Sequence, residues 1–242
     1  MKALILAGGR GKRLEDLSEQ QNKCMYEIAG RPVICNALDI ALNSEVNEIV
    51  IIVGYRAEDI VNYFGTNYRG KRIKYVIQQE QLGLVHAVSC SEDTIDGDDF
   101  MLLLGDEVLV EPRHQLMIER FNSSPQIFGI CGVVNVSDRD LIKRTYSIIQ
   151  NAQRQILRLV EKPRVPFNDI MGTGDCVFRN ALFDYIDLTP IHHDRKEREL
   201  PDLIQCAVDD GRFVESFDVC THYGNVNTKS DIDIINSFLP SK

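Results

Sequence analysis

No apolar stretch in this 242-residue chain approaches the roughly 20 residues that a membrane helix needs; the runs at 49–53 and 100–104 are among its longest. Positive charge is also scarce. With 27 Lys and Arg against 36 Asp and Glu, the formal net charge is −9, which argues against a nonspecific binder of phosphate backbones. Neither a membrane nor a nucleic acid is therefore expected as partner, and an anionic ligand must be held by local cations or a metal. The seven cysteines (Cys24, Cys35, Cys90, Cys131, Cys176, Cys206 and Cys220) form no C-x-x-C pair, so zinc and redox motifs are missing. They read as reduced, mostly buried thiols of a cytoplasmic protein. Residues 3–7 are too short for a secretory core and run into glycines, so no signal peptide is expected. Repeats, low-complexity tracts and Pro/Ser-rich linkers are lacking too, which makes one compact domain the default. What remains is ordinary for a globular protein: 44% apolar and 26% charged residues, enough chain to bury roughly 70–75% of its unfolded surface.

Strands and helices alternate through the first half. Residues 2–7 read as a strand running into Gly8-Gly9-Arg10-Gly11, and residues 48–53 as a second, apolar on both faces as buried parallel strands are. Between them a helix opened by Pro32 carries Ile34, Ala37, Leu38 and Ala41 at helical spacing. Ala57, Ile60, Val61 and Phe64 repeat that spacing, residues 73–77 resume the sheet, and residues 99–104 form a strand ending at Gly105-Asp106. The second half reads as more antiparallel, with strands at 127–136, 146–150 and 156–160, the last two joined by the turn 151–154. Thr228-Lys229-Ser230-Asp231 resembles a capping box opening a helix whose apolar face is Ile232, Ile235, Phe238 and Leu239. The pattern predicts a single three-layer, Rossmann-like α/β domain with a mixed, mostly parallel sheet and an antiparallel extension. Its ligand belongs outside the carboxyl ends of the parallel strands.

The first chemical signal is Leu6-Ala7-Gly8-Gly9-Arg10-Gly11-Lys12-Arg13-Leu14. Its glycines let backbone N–H groups approach an anion, while Arg10, Lys12 and Arg13 supply the charge that the acidic chain lacks. Leu14 stands where a dinucleotide fingerprint has its third glycine, and the Gly-Lys-Ser/Thr of a P-loop is missing. Gly65 to Lys71 fits G-x-x-x-x-G-K, but Arg72 follows where Ser or Thr is needed, so this segment reads as a turn. His192-His193-Asp194 reads as a polar loop, and His86, in an apolar helical segment, as a packing or hydrogen-bonded histidine.

Lys23 lies ten residues after Arg13, in Asn22-Lys23-Cys24-Met25, and Ile28-Ala29-Gly30-Arg31-Pro32-Val33 follows. With the glycine loop, this stretch resembles the signature of the sugar-phosphate nucleotidylyltransferases, the NDP-sugar pyrophosphorylases of the glucose-1-phosphate thymidylyl- and uridylyltransferase kind. Lys12, Asp16 and Asn22 depart from the family's usual Thr, Pro and Pro. Gln78-Gln79-Glu80-Gln81-Leu82-Gly83 is similar to the family's base-binding turn, which implies Gln78 and Gly83 at the nucleobase. Leu103-Leu104-Gly105-Asp106 resembles the strand end whose carboxylate binds Mg²⁺. Glu161-Lys162-Pro163 looks like the family's E-K-P, which implies Glu161 on sugar hydroxyls and Lys162 on the sugar phosphate. Gly172-Thr173-Gly174 fits the glycine turn under the sugar, giving Thr173 and Gly174 as sugar contacts. Gly224-Asn225-Val226-Asn227-Thr228 resembles the segment that returns to the metal, with Asn227 favoured slightly over Asn225. Glu197 to Asp202 loosely resembles a segment that lines the sugar site.

The resemblance implies NTP plus sugar 1-phosphate giving NDP-sugar plus pyrophosphate, with Mg²⁺ as cofactor. The nucleotide would occupy about residues 1–110 (Leu6, Ala7, Gly8, Gly9, Gly11, Lys12, Gln78, Gly83 and Asp106) and the sugar about 111–242. Arg13, Lys23 and Lys162 would be the catalytic cations. A transferase for phosphocholine or a phosphonate remains an alternative, which Glu161-Lys162-Pro163 and Gly174 disfavour. So does a non-catalytic binding or regulatory relative, which would be expected to lose Arg13, Lys23 or Asp106. The lysine spacing disfavours a molybdopterin-type guanylyltransferase, and no β-helix repeat follows to suggest an attached acyltransferase. The base, the sugar and whether the chain forms a homo-oligomer are open. Arg13→Ala is expected to abolish pyrophosphate release while the circular dichroism spectrum stays native; near-normal turnover would remove the phosphate role from this loop.

Overall fold

The computed structural model describes residues 1–10 and 21–238; Gly11, Lys12, Arg13, Leu14, Asp16 and Leu239 lie outside the described residues. The strands are β1 (Lys2–Ala7), β2 (Glu27–Ile28), β3 (Arg31–Pro32), β4 (Ile49–Val53), β5 (Asn67–Tyr68), β6 (Lys71–Ile77) and β7 (Phe100–Leu104), then β8 (Glu107–Val110), β9 (Ile127–Asn135), β10 (Tyr146–Gln150), β11 (Ile156–Glu161), β12 (Ile170–Phe178), β13 (Phe213–Asp218) and β14 (His222–Asn225). The α-helices are α1 (Cys35–Leu42), α2 (Ala57–Phe64), α3 (Leu84–Ser89), α4 (Glu92–Ile95), α5 (His114–Asn122), α6 (Leu200–Asp209) and α7 (Lys229–Phe238).

β7, β1, β4 and β6 pair in parallel, and Leu4 stands opposite Val50 on one side and Leu102 on the other. These strands alternate between two apolar layers, which is why they read as continuous apolar runs. Ala3, Ile5, Ile49, Ile51, Met101 and Leu103 pack with Leu38 of α1, Ile60 of α2 and Phe121 of α5. Leu4, Leu6, Val50, Ile52, Phe100 and Leu102 face the other way, toward Val88 of α3 and Leu203 and Ile204 of α6. The three layers expected from the sequence are present, and the antiparallel extension follows: β12 pairs with β7, β10 and β9, and β10 with β11. All seven cysteines are free thiols, five of them buried. Among the described residues no helix is long and apolar enough to cross a membrane.

Two expectations need correction. Pro32 does not open α1. Residues 31–34 fold back on 24–28, with Val33 N donating to Tyr26 O (2.8 Å) and Ile34 N to Cys24 O (3.0 Å), so the helix starts at Cys35. Gly172-Thr173-Gly174 is not a turn but lies inside β12, a strand with partners along both edges. The second half is the more antiparallel one, as expected, with one parallel pairing of β13 to β9. The capping motif at α7 forms on one side only: Asp231 accepts from the Asn227 and Thr228 amides (3.0 and 2.7 Å), while the Thr228 hydroxyl meets Ser230. Ile235 then docks α7 against Ile28, Val33, Val108 and Val226.

Asn22 holds the parallel strand ends together. It is 0% exposed, and its Nδ2 donates to Ala7 O (3.2 Å) at the end of β1 and to Tyr55 O (2.7 Å) after β4. Its Oδ1 accepts from Cys24 N (2.8 Å), and its own N–H donates to Asp59 of α2 (2.6 Å). Asn22→Ala leaves these buried carbonyls without a donor and is expected to lower the unfolding free energy by about 1–3 kcal/mol, read from urea midpoints. Asn22→Pro should fare no better: the φ of −62° suits the ring, but the imide lacks the N–H that Asp59 uses.

Candidate active site

The carboxyl ends of β1, β6 and β7 open onto a cleft of about 610 Å³ lined by Leu6, Ala7, Gly8, Gly9, Arg10, Lys23, Gln78, Gly83 and Asp106. Every described residue expected from the sequence to contact the nucleotide therefore borders one cavity. Gly8, on that lining, almost touches the backbone of Gly54, where a Cβ would lie 2.8 Å from Gly8 O. Gln78 follows β6 directly, and its Nε2 donates to Gly83 O (3.1 Å) and lies 3.0 Å from His86 Nδ1. Gly83 has φ +95° and packs so closely on Glu197 that a Cβ would stand 2.7 Å from that carboxylate. Glu197 thus faces the large cleft, while its neighbour Glu199 faces a smaller one.

Lys23 and Asp106 meet at the floor of the large cleft as an ion pair, with side chains 11% and 18% exposed. The Lys23 ammonium also donates to Asn227 Oδ1 at 3.0 Å. Asn225 stands one step back, its Oδ1 accepting from Asn227 Nδ2 (2.9 Å). One carboxylate oxygen and one amide oxygen thus converge on a single cation, and the cation present is an ammonium. Hard oxygen donors of this kind suit Mg²⁺, which commonly takes one or two carboxylates and completes its shell with phosphates and water.

The smaller cleft, about 180 Å³, is bordered by Glu161, Lys162, Thr173 and Gly174 together with Glu107, Tyr146, Glu199, Tyr223 and Asn225. It arises from an interrupted ladder. β12 pairs with β10 at 171–172 and with β7 at 176–178, so among the described residues no strand flanks this edge at 173–175. The Gly174 amide, free of the ladder, donates to both oxygens of Glu107 (3.2 Å each). A side chain at 174 would strike Leu104 at 2.2 Å, and one at 172 would strike the Tyr146 ring at 2.1 Å. The Thr173 hydroxyl donates to Gly132 O (3.1 Å) and its carbonyl accepts from the Tyr146 hydroxyl (2.9 Å), so both are engaged within the protein. Lys162, at φ +44°, pairs with Glu161 at 2.6 Å, and burial raises the Glu161 pKa against the pull of Lys162.

Sequence reasoning missed Glu107. It is 3% exposed and also accepts from Tyr223 OH at 2.5 Å. Burial, then the Asp175 and Asp106 carboxylates, push its pKa well above the ordinary range. Behind it Asp175 faces His114 at 3.2 Å, both nearly fully buried. Glu107 directly follows the Gly-Asp motif, but it opens an apolar strand and looks there like a solvent-facing residue. Asn22 and His86 were visible as residues, though not as the partners of Ala7, Tyr55 and Gln78.

A mostly parallel α/β sheet with a large cleft at its strand ends, floored by a lysine, a carboxylate and an amide, defines a class of phosphate-handling enzymes. The profile of the nucleotidyl transferase family matches residues 2–223. The chain is similar to the UTP-glucose-1-phosphate uridylyltransferase AglF of Haloferax volcanii, with 32% identity over 217 residues, 89% of this chain and 87% of that one. It is 30% identical over 251 residues to a glucose-1-phosphate thymidylyltransferase of Streptomyces griseus, covering 98% of this chain and 65% of that one. A Bacillus anthracis structure assigned as a glucose-1-phosphate thymidylyltransferase, in complex with a sucrose, superposes with a TM-score of 0.88 at 24% identity over 100% of this chain and 97% of that one, a likeness of fold. The chain belongs to the nucleotidyl transferase family, among its sugar-phosphate nucleotidyltransferases.

The raised pKa of Glu107 has a definite sign in stability. The folded state binds its proton more tightly than the unfolded state, so wild-type stability falls as pH rises above the ordinary 4.5 of a glutamate. In Glu107→Gln this dependence is absent. Relative to the wild type, the variant is expected to gain up to about 1.4 kcal/mol per pH unit over that interval, measured by urea unfolding between pH 5 and 8. Parallel pH profiles for the two proteins would show that Glu107 is ionised in the fold.

Proposed function

We propose that this chain joins the nucleotidyl group of an NTP to a sugar 1-phosphate, releasing pyrophosphate, with Mg²⁺ as cofactor. The observation that carries the reading is the position of the Lys23, Asp106 and Asn227 cluster: its Lys23 and Asp106 border the large cleft, and Asn225 and Glu107, next to it, border the small one. Two compartments of unequal size that meet at Leu84 and Leu104, with charged groups on either side, suit two substrates whose phosphates must meet. The glucose-1-phosphate specificity in the names of the relatives points the same way.

A phosphate monoester is already a nucleophile, so no general base is needed. Its oxygen attacks the α-phosphorus as the bond from that phosphorus to the bridging oxygen of pyrophosphate breaks, and the electron pair leaves with pyrophosphate. The protein's task is to bring two anions together on an acidic chain. Lys23, at the floor of the nucleotide cleft, holds the α-phosphate, while the glycine-loop amides and Arg10, with Arg13, hold the departing phosphates. Lys162, at the rim of the small cleft, leaves Glu161 for the incoming sugar phosphate, and Glu161 then accepts from sugar hydroxyls. Asp106 and Asn227 would hold Mg²⁺, whose chemistry there is neutralisation of phosphate charge.

Pyrophosphate release screened over the NTPs and a panel of sugar 1-phosphates, phosphocholine and a phosphonate tests the reading; turnover with phosphocholine alone would overturn it. Lys162→Ala should raise KM for the sugar phosphate at least tenfold and leave KM for the NTP within a few-fold, since this charge meets only one substrate. An effect confined to the NTP would reverse the lysine roles. Asp106→Asn should lose most activity and require more Mg²⁺, and an unchanged Mg²⁺ titration would place the ion elsewhere.

A further inference from the structure

The amide of Gln78 has only one way to point. Gln78 is 4% exposed, and its Nε2 sits 3.1 Å from Gly83 O. A carbonyl oxygen can only accept, so the nitrogen of the amide must lie on that side. Its second hydrogen goes to His86 Nδ1 at 3.0 Å, which fixes the imidazole proton on Nε2, 3.9 Å from Cys90 Sγ. Both N–H groups of the amide are thereby used. What remains is Oε1, placed over Gly8, 2.9 Å from where a Cβ of residue 8 would lie, on the wall of the large cleft.

We infer that His86 is a positioning residue for base selection: by engaging the second amide hydrogen of Gln78 it leaves a lone acceptor facing the nucleobase. Such an acceptor takes a base whose ring nitrogen carries a hydrogen, as in uracil, thymine or guanine. It repels one whose ring nitrogen carries a lone pair, as in cytosine or adenine. Selection of this kind is strong because the wrong base leaves a buried polar atom unpaired. His86 does not touch the base, and nothing in an apolar helix marks it for this role. The inference rests on reading the large cleft as the nucleotide seat.

UTP and CTP make the cleanest comparison, since they share ring size and differ at the imide edge; dTTP, GTP and ATP extend it. Direct binding of each nucleotide by calorimetry, without sugar phosphate, separates the base from later steps. The wild type is expected to bind UTP at least tenfold more tightly than CTP. His86→Leu should lower that ratio several-fold, because Gly83 O then holds the amide alone. His86→Asn, whose Oδ1 falls near the position of Nδ1 and accepts the same hydrogen, should restore it, an outcome that loss of packing alone would not give. A Leu variant that keeps the UTP preference, or a wild type that binds CTP as tightly as UTP, overturns the role of His86. A wild type that binds no NTP overturns the reading of the cleft itself, and this inference with it.

Discussion

Lys23, Asp106 and Asn227 come from segments 83 and 204 residues apart, yet their side chains meet around one ammonium. A charge buried this far from water costs several kcal/mol unless it is paired and hydrogen-bonded, so each of the three segments has to be delivered accurately. Lys23 is delivered by Asn22, whose amide is fixed to the ends of two parallel strands. Asp106 follows β7, whose register against β1 is set by five paired residues. Asn227 is delivered by α7, whose Asp231 holds the Asn227 amide and whose Ile235 sits in its own apolar cluster. Loosening any of these supports would expose or strand a charge.

Beside this cluster lie two cavities of different origin. The large cleft is the ordinary opening at the carboxyl ends of parallel strands, where the chain leaves the sheet to opposite sides. The small one exists because β7 and β10 take successive halves of one edge of β12 and leave residues 173–175 without a strand beside them. Glycine is required at 172 and 174 because the Tyr146 ring and Leu104 already occupy the space a side chain would take. Glu107 closes the gap from behind by accepting the amide that the missing strand would have bonded. A buried acid is an expensive solution, and its raised pKa is the mark of that cost.

Much of this was legible in the chain because the controlling physics is local. Continuous apolar runs at 2–7, 49–53 and 100–104 announce strands buried on both faces, and α1 and α2 follow from apolar residues at helical spacing. The glycine loop, Gln78 to Gly83 and Gly105-Asp106 could be placed at strand ends because each directly follows such a run. Even the hairpin of β10 and β11 is written in its turn residues. By contrast, what depends on a distant partner stayed hidden. Pro32 looks like a helix opener until residues 24–28 pair with its segment. Gly172-Thr173-Gly174 looks like a turn until β9 and β10 pair with Gly172 and carry the segment into β12.

The sequence by itself determined the layer order, the parallel core, the strand ends where a ligand would lie, and the family, since these follow from periodicity and from contiguous motifs. Only the tertiary structure decided that Asn227 rather than Asn225 faces Lys23, that Glu107 lies under Gly174, and that His86 holds Gln78. Each of those choices is made by a hydrogen bond whose two ends belong to different elements. A side chain's local spacing says which face of its own element it occupies, but not which donor or acceptor the rest of the fold brings opposite to it.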